Sequence, residues 1–143
     1  MSDIQVIAER ITSQIKLEME GRSYKAANEL RNAALLVLRG QRGGRKYRVP
    51  GTKKYYQASA PGEPPAVRTG MFRLSWQPTA SVVFGSYISR IESDTQVGTR
   101  RRYTLGDLLE DGTVKMAPRP YQDKILEKAE PDIVRIYSRN YNI

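Results

Sequence analysis

The chain has 143 residues, a net charge of +9 at pH 7, and neither cysteine nor histidine. The length indicates one domain with a real hydrophobic core, and the lack of cysteine excludes disulfides and thiolate metal sites. The lack of histidine removes the commonest general base and metal ligand, while the positive charge favours a polyanionic partner: DNA, RNA or an acidic protein surface.

The N-terminal segment, residues 1–39, is predicted to be helical. Ser2 and Gln5 have the spacing of a capping box. Apolar residues then recur at intervals of three and four, which is typical of an amphipathic helix. They are Ile4, Ile7, Ala8, Ile11, Ile15 and Met19, followed by Tyr24, Ala27, Leu30, Ala34, Leu35 and Leu38. We expect one helix from Asp3 to Arg39, about 55 Å long; two helices hinged at Gly21 are the alternative. A helix of this length favours neighbouring subunits as packing partners.

A basic, proline-containing segment follows at residues 40–68. Connections longer than about 12–15 residues are uncommon in compact domains unless they are functional or disordered. Its first half mixes arginine, lysine and tyrosine, which is typical of protein interfaces and of nucleic-acid-binding surfaces. We predict an extended arm that reaches another subunit or another protein of the same assembly, with a solvated loop as the alternative. The predicted interface residues are Arg42, Arg45, Lys46, Tyr47, Arg48, Lys53, Lys54, Tyr55 and Tyr56.

The remaining segment, residues 69–143, begins with a predicted helical turn, Thr69–Ser75, capped by Thr69. Residues 79–86 and 87–92 are rich in β-branched and aromatic residues, and Gly85-Ser86 at the end of the first range is a hairpin signal. Residues 96–101 are predicted as a third strand. Three adjacent strands with short connections favour an antiparallel meander.

Two helices are predicted at the C-terminal end. Tyr103–Glu110 has near-helical apolar spacing, and Gly112 is expected just past its end. Pro118 and Pro120 are tolerated before the last helix, because the first turn of a helix leaves its N–H groups unpaired. That helix is expected to start at about Tyr121, and a later proline is expected to kink or restart it.

No catalytic constellation is evident in the sequence. Glu92, Asp94, Glu110 and Asp111 are carboxylates of the type that binds Mg²⁺ in nucleases, but no sequence feature brings the two pairs together. We therefore predict no enzyme activity, no cofactor and no metal site. A metal-dependent nuclease stays as a further alternative.

Several short motifs follow one another in a fixed order along residues 65–121. They are Pro65, Arg68-Thr69-Gly70-Met71-Phe72-Arg73-Leu74-Ser75, Val97-Gly98-Thr99, Tyr103, Glu110-Asp111-Gly112-Thr113 and Met116-Ala117-Pro118-Arg119-Pro120-Tyr121. Taken together they resemble the neck or tail-completion (tail-component) family of long-tailed bacteriophages. The chain departs from the family pattern at Met71, where leucine is usual, and at Asp111, where an aromatic or aliphatic residue is usual.

The resemblance implies a structural virion protein of the head–tail junction, a type of minor tail protein. It would form a homo-oligomeric cyclic ring of about six or twelve copies. Its partners would be the head-closure or connector protein, the tail terminator or tail tube protein, and the genome DNA passing through the lumen, with no membrane. It would be made in the host cytoplasm and end in the virion neck. The structural residues implied by the motifs are Thr69, Gly70, Tyr103, Glu110, Gly112, Thr113, Met116, Pro118, Arg119, Pro120 and Tyr121.

The predicted fold is α+β in a single domain. It comprises a long N-terminal helix, a small antiparallel sheet of three or four strands, a short helix and a C-terminal helix packed on it, and a long extended basic loop. The alternative function is a small basic nucleic-acid-binding protein that uses the segment Arg42–Tyr56. Its affinity would fall steeply with salt, because each phosphate contact releases counterions.

Overall fold

The computed structural model describes residues 2–40, 42–67, 70–97 and 103–141, and it confirms the α+β class. The elements in chain order are α1 (Asp3–Val37), β1 (Lys46–Arg48), β2 (Tyr55–Gln57), α2 (Met71–Leu74), β3 (Gln77–Val83), β4 (Ser86–Glu92), β5 (Gln96–Val97), β6 (Tyr103–Thr104), α3 (Leu105–Asp111) and α4 (Gln122–Ser138). The predictions for Thr69 and for residues 98–102 lie outside the described residues.

The N-terminal segment is a single helix of 35 residues, so the hinge at Gly21 is wrong. Its predicted capping box is present: Ser2 Oγ accepts a hydrogen bond from the Gln5 backbone N–H at 3.3 Å, and Gln5 Oε1 accepts one from the Ser2 N–H at 3.0 Å. Gly21 is exposed, and the helix continues through it. The cost of about 1 kcal/mol for an interior glycine is thus smaller than the stabilisation from the packed turns that follow it.

The core lies between the second half of α1, α4 and a cluster of three rings. Trp76, Phe72 and Tyr121 pack edge to face, with centroids 5.6 to 5.8 Å apart. The buried apolar residues are Ala26, Ala27, Leu30, Ala33, Ala34, Leu38, Trp76, Tyr121, Ile125 and Ala129. Small alanines on both helices let the two backbones approach closely, and the three rings fill the core at the end of the helix pair.

The helices α1 and α4 are antiparallel. The N-terminal end of α4 clusters with Leu30 and Leu38, and its C-terminal end meets Arg22. The buried Arg22 guanidinium donates to the Tyr137 carbonyl at 3.1 Å and to the Asn140 carbonyl at 3.0 Å. Because α4 ends at this point, the part of α1 before Glu18 has no α4 beside it.

The strands of the described residues form three two-stranded antiparallel ladders. The predicted hairpin is confirmed as β3–β4, whose Val83–Ser86 pair encloses a tight turn of Phe84 and Gly85, both at positive φ. The predicted three-stranded meander is wrong, because β5 pairs with β6 instead of with β4. The connection after β4 turns away where the hydroxyls of Ser75 and Ser93 lie 2.5 Å apart.

The C-terminal helices are present with small changes at their ends. Thr104 caps α3 and accepts a hydrogen bond from the Asp107 N–H at 3.3 Å, and Gly112 follows the helix with φ 80°. The short α2 begins after Gly70, which occupies its cap position with φ 84°. Helix α4 passes Pro131 without restarting. Among the helices of the described residues, none combines the length and apolarity that crossing a membrane requires.

Candidate assembly surfaces

The basic segment folds into a hairpin, so the prediction of an extended arm is corrected. Strands β1 and β2 pair through Lys46–Gln57, Tyr47–Tyr56 and Arg48–Tyr55, and the Val49 N–H donates to the Lys54 carbonyl at 2.9 Å. Tyrosines favour strands because their rings pack across the ladder. The rings of Tyr47 and Tyr56 do so here, with centroids 6.0 Å apart.

The base of this hairpin is fixed to the domain through Arg42. Its guanidinium donates to the carbonyls of Val37 and Pro64 at 2.7 Å each. Burial lowers the pKa of Arg42, and the nearby Glu63 carboxylate opposes that shift. Glu63 in turn accepts hydrogen bonds from the N–H groups of Gly43 and Ala60, which lower its pKa. Arg42 was predicted to bind a partner; in the structure it anchors the hairpin.

A close backbone approach reinforces the anchor at Gly44. Its N–H donates to the Ala58 carbonyl at 2.9 Å. A Cβ added at Gly44 would lie 2.5 Å from that carbonyl oxygen and 2.8 Å from the Ser59 carbonyl oxygen. Only glycine fits this close to the carbonyls of Ala58 and Ser59 without moving the backbone. Gly44 therefore holds the segment before β1 against the segment after β2 and closes the base of the hairpin.

The two faces of the hairpin differ in chemistry. Tyr56 is half-buried and lines a groove together with Leu38 and Phe72, so its face points to the body of the domain. Because side chains alternate along a strand, Lys46, Arg48 and Tyr55 share the opposite face. All three are exposed, and Tyr55 is 69% exposed. The other predicted interface residues that are exposed are Arg45, Tyr47, Lys53 and Lys54.

The motif between α3 and α4 organises the fold. Glu110 Oε2 accepts hydrogen bonds from the N–H groups of Tyr121 and Gln122 at 2.8 and 3.3 Å, so it caps the positive end of α4. A Cβ on Gly112 would lie 2.8 Å from the Pro118 nitrogen. Tyr121 is only 1% exposed, and burial raises its pKa to about 12. The contacts of Glu110, Gly112 and Tyr121 described here are all within one chain.

The rest of the motif closes the same connection. Thr113 and Met116 exchange backbone hydrogen bonds, and the Arg119 N–H donates to the Leu109 carbonyl at 2.6 Å. Arg119 Nη1 is buried without a hydrogen-bond partner among the described residues. Pro120 precedes α4 as predicted, and the backbone of Tyr103 lies in β6.

The first half of α1 projects from the core. Residues 3–17 are all exposed, including the isoleucines of the apolar stripe at 79% (Ile4), 48% (Ile7), 37% (Ile11) and 37% (Ile15). Ser89 of β4 hydrogen-bonds to Ser23, so the β3–β4 hairpin runs from the core towards this half of α1. The hairpin turn is also apolar and exposed, with Phe84 fully exposed.

A shallow groove lies along the outer side of α4. Its volume is about 420 Å³, and it is lined by Asp123, Leu126, Glu127, Glu130, Ile133 and Val134. None of its three carboxylates forms an ion pair with another described residue. This surface was not predicted from the sequence. The acidic residues recur at helical spacing. That spacing is the same for acids that surround an apolar groove and for acids on an ordinary solvated helix face, so it does not distinguish the two.

The carboxylates considered for a metal ion are not gathered into one site. Glu92 and Asp94 line a cavity with Asp107, whereas Glu110 caps α4. Among the described residues, no group of three or more His, Cys, Asp or Glu side chains is placed to hold a metal ion. Comparison with protein-family models, curated proteins and solved structures finds no match for this chain.

Proposed function

We propose that this chain is a structural protein of the phage head–tail junction that forms a ring joining the tail to the head connector. The ring would consist of copies of this chain between a head-closure protein and a tail terminator or tail tube protein, with the genome passing through the lumen. The protein would act by adhesion and would reside in the virion neck after synthesis in the host cytoplasm. The motif order at residues 65–121 motivates this proposal.

The observation that carries the proposal is the projecting half of α1. Isolated helices of this length are marginal in water, and most helical stability in proteins comes from packing an apolar face. Here each residue of the stripe Ile4, Ile7, Ile11 and Ile15 is at least 37% exposed. Contiguous exposed apolar surface of this kind marks protein interaction sites. A subunit of an assembly would cover it with its neighbours.

The hairpin adds a second feature expected of a ring subunit. It is anchored at its base by Arg42 and Gly44 and presents cations and tyrosines to solvent. Arginine and tyrosine are enriched at protein interfaces, and charge complementarity guides docking and selects partners. A basic projection that is anchored at its base supports binding to an acidic neighbour.

The proposal is tested by electron microscopy of lysates from a phage in which this gene alone is disrupted. We expect filled heads beside separate, finished tails, and restoration of joined particles by the wild-type gene in trans. A gene carrying Ile7→Gln and Ile11→Gln should fail to restore joining although its product is folded by circular dichroism. Glu9→Gln, on the same exposed stretch outside the stripe, is the matched control and should restore joining. Intact, infectious virions from the disrupted phage would refute a neck role.

A nucleic-acid-binding protein is the second candidate, and the exposed basic face of the hairpin favours it. Lys46, Arg48 and Tyr55 combine phosphate neutralisation with a stacking ring. Binding of a DNA duplex to the purified chain would then weaken steeply between low and physiological salt. Binding that is tight, steep in salt and lost in Lys46→Glu, together with normal joining of heads and tails, would favour this function over the ring.

A further inference from the structure

The groove on α4 and the outer face of the β1–β2 hairpin are complementary in chemistry. Three of the six groove residues are acidic, three are apolar and none is basic. Leu126 and Val134 are 56% and 58% exposed, so the floor of the groove is accessible. A fitting occupant would bring one apolar or aromatic side chain for the floor and cations for the rim.

The outer face of the hairpin has this composition. Tyr55 lies directly across the ladder from Arg48, and Lys46 shares their face. The sequence contains no acidic residue between Glu29 and Glu63, so the hairpin carries no negative charge of its own. Arg48 Nε donates to the Thr52 carbonyl at 2.6 Å, which uses one of its five N–H donors and fixes the stem of the side chain.

The spacing of the two charge sets also agrees. Residues two apart on a strand, such as Lys46 and Arg48, are separated by about 7 Å. Side chains three or four apart on a helix, such as Glu127 and Glu130 or Asp123 and Glu127, are separated by about 5–6 Å. Long lysine and arginine side chains bridge the small difference. Two cations of the hairpin therefore match two successive carboxylates along α4.

The groove lies on a different side of α4 from the loop that follows the hairpin. Lys124 of α4 donates to the Gly62 carbonyl, in the loop that follows the hairpin, at 3.2 Å. Asp123 is turned from Lys124 by about 100° around the helix, and Glu127 and Glu130 lie on the side of Asp123. A contact between two different patches is heterologous, and such contacts generate rings when the rotation closes.

We propose that the hairpin face of Lys46, Arg48 and Tyr55 in one copy docks in the α4 groove of a second copy, an inference that rests on the proposed ring. Tyr55 packs against Leu126 and Val134, and the two cations pair with carboxylates of the rim. The contact repeats from copy to copy. Each subunit then contributes its hairpin face to one neighbour and its α4 groove to the other.

The test uses charge reversal on each side of the contact. One variant carries Lys46→Glu and Arg48→Glu, and the other carries Glu127→Lys and Glu130→Lys. Each alone places like charges across the contact and should weaken self-association at least about tenfold in sedimentation velocity. Mixed in equal amounts, the two variants should assemble again, because every junction then joins opposite charges. Recovery on mixing also demonstrates that both variants are folded.

The matched control is Glu9→Lys with Glu20→Lys, which makes the same charge change on exposed positions of α1 and should leave association unchanged. All variants are also supplied in trans to the gene-disrupted phage, where each reversed chain alone should fail to join heads to tails and co-expression of both should restore joining. If the wild-type chain associates only on the particle, this complementation assay tests the contact in place of sedimentation.

The remaining outcomes separate the two proposals. If the wild-type chain associates or restores joining and the reversed chains behave like it, the hairpin–groove contact is wrong and the ring proposal stands. If reversal on the hairpin abolishes DNA binding but not association, the hairpin serves nucleic acid and the contact is again wrong. If the wild-type chain neither associates nor affects joining, both proposals are wrong.

Discussion

The close contact between Gly106 and Tyr121 gives a quantitative prediction about the core. A Cβ added at Gly106 would lie 2.7 Å from the Tyr121 hydroxyl oxygen, closer than real Cβ contacts. Tyr121 cannot move aside easily, because it is 1% exposed and packs against the rings of Phe72 and Trp76. Overpacking of this kind costs about 1–3 kcal/mol. Replacing a helical glycine with alanine returns up to about 1 kcal/mol. We expect Gly106→Ala to reduce the free energy of unfolding by about 1 kcal/mol.

The same substitution should change sign when the hydroxyl is removed. In a Tyr121→Phe background, the nearest remaining atoms to the new Cβ are Phe72 Cε2 at 3.6 Å and Cζ at 3.8 Å, which are ordinary contacts. The cost of overpacking is then absent, while the gain in helix propensity from alanine remains. Gly106→Ala should therefore stabilise this background by about 0.5–1 kcal/mol.

Urea denaturation of the four proteins measures this difference. The chain has one tryptophan, and Trp76 contacts Tyr121, so its fluorescence reports on the region under test. The coupling energy between the two substitutions should be about 1–3 kcal/mol. Equal effects of Gly106→Ala in both backgrounds, within about 0.5 kcal/mol, would refute the steric argument.

Three further predictions concern the connection, the hairpin base and pH. Glu110→Ala should cost about 1–2 kcal/mol of unfolding free energy, because it removes the cap of α4, whereas the exposed neighbour Asp111→Ala should have almost no effect in the same urea assay. Gly44→Ala should destabilise the protein by more than about 1 kcal/mol through the clash with two carbonyls. Gly21→Ala, with open space around its Cβ, should instead stabilise the protein by up to about 1 kcal/mol. A Gly44→Ala protein as stable as the wild type would contradict the close approach. The pKa of Tyr121 is raised to about 12 by burial, so the folded state retains the proton that the unfolded state loses near pH 10. The neutral hydroxyl contributes its full stabilisation below pH 10, and about 2 kcal/mol of it is lost as the pH rises towards 12. The free energies of unfolding of wild type and Tyr121→Phe should therefore diverge by this amount between those pH values. Parallel dependences on pH would contradict the prediction.

Local signals in the sequence were sufficient for the helices. The capping box at Ser2 and the three-and-four spacing of apolar residues predicted α1 to within two residues at its C-terminal end. The end of α3 at Gly112 and the start of α4 after Pro120 were predicted by residues whose backbone preferences are intrinsic. Such preferences act over one helical turn, so the sequence contains them directly.

The hairpin of the basic segment was missed although a signal was present. Pro50 and Gly51 form a turn dipeptide between two stretches that contain tyrosine. The many charges favoured an extended arm in the sequence analysis. The anchoring by Arg42 was not predictable, because it depends on carbonyls of Val37 and Pro64 that only the folded chain brings together.

Sequence by itself determined which segments are helical, where they are capped, and that a basic surface without acidic residues lies after the first helix. Only the tertiary structure decided which half of the apolar stripe is buried. Leu30 and Leu38 are covered by α4 and Trp76, while Ile4 and Ile7 have the same periodicity and stay exposed because α4 ends at Arg22. Periodicity in the sequence identifies the apolar face of a helix, but the burial of that face depends on the length and position of a packing partner that is distant in sequence. The pairing of β5 with β6 and the acidic groove on α4 depend on the same non-local geometry.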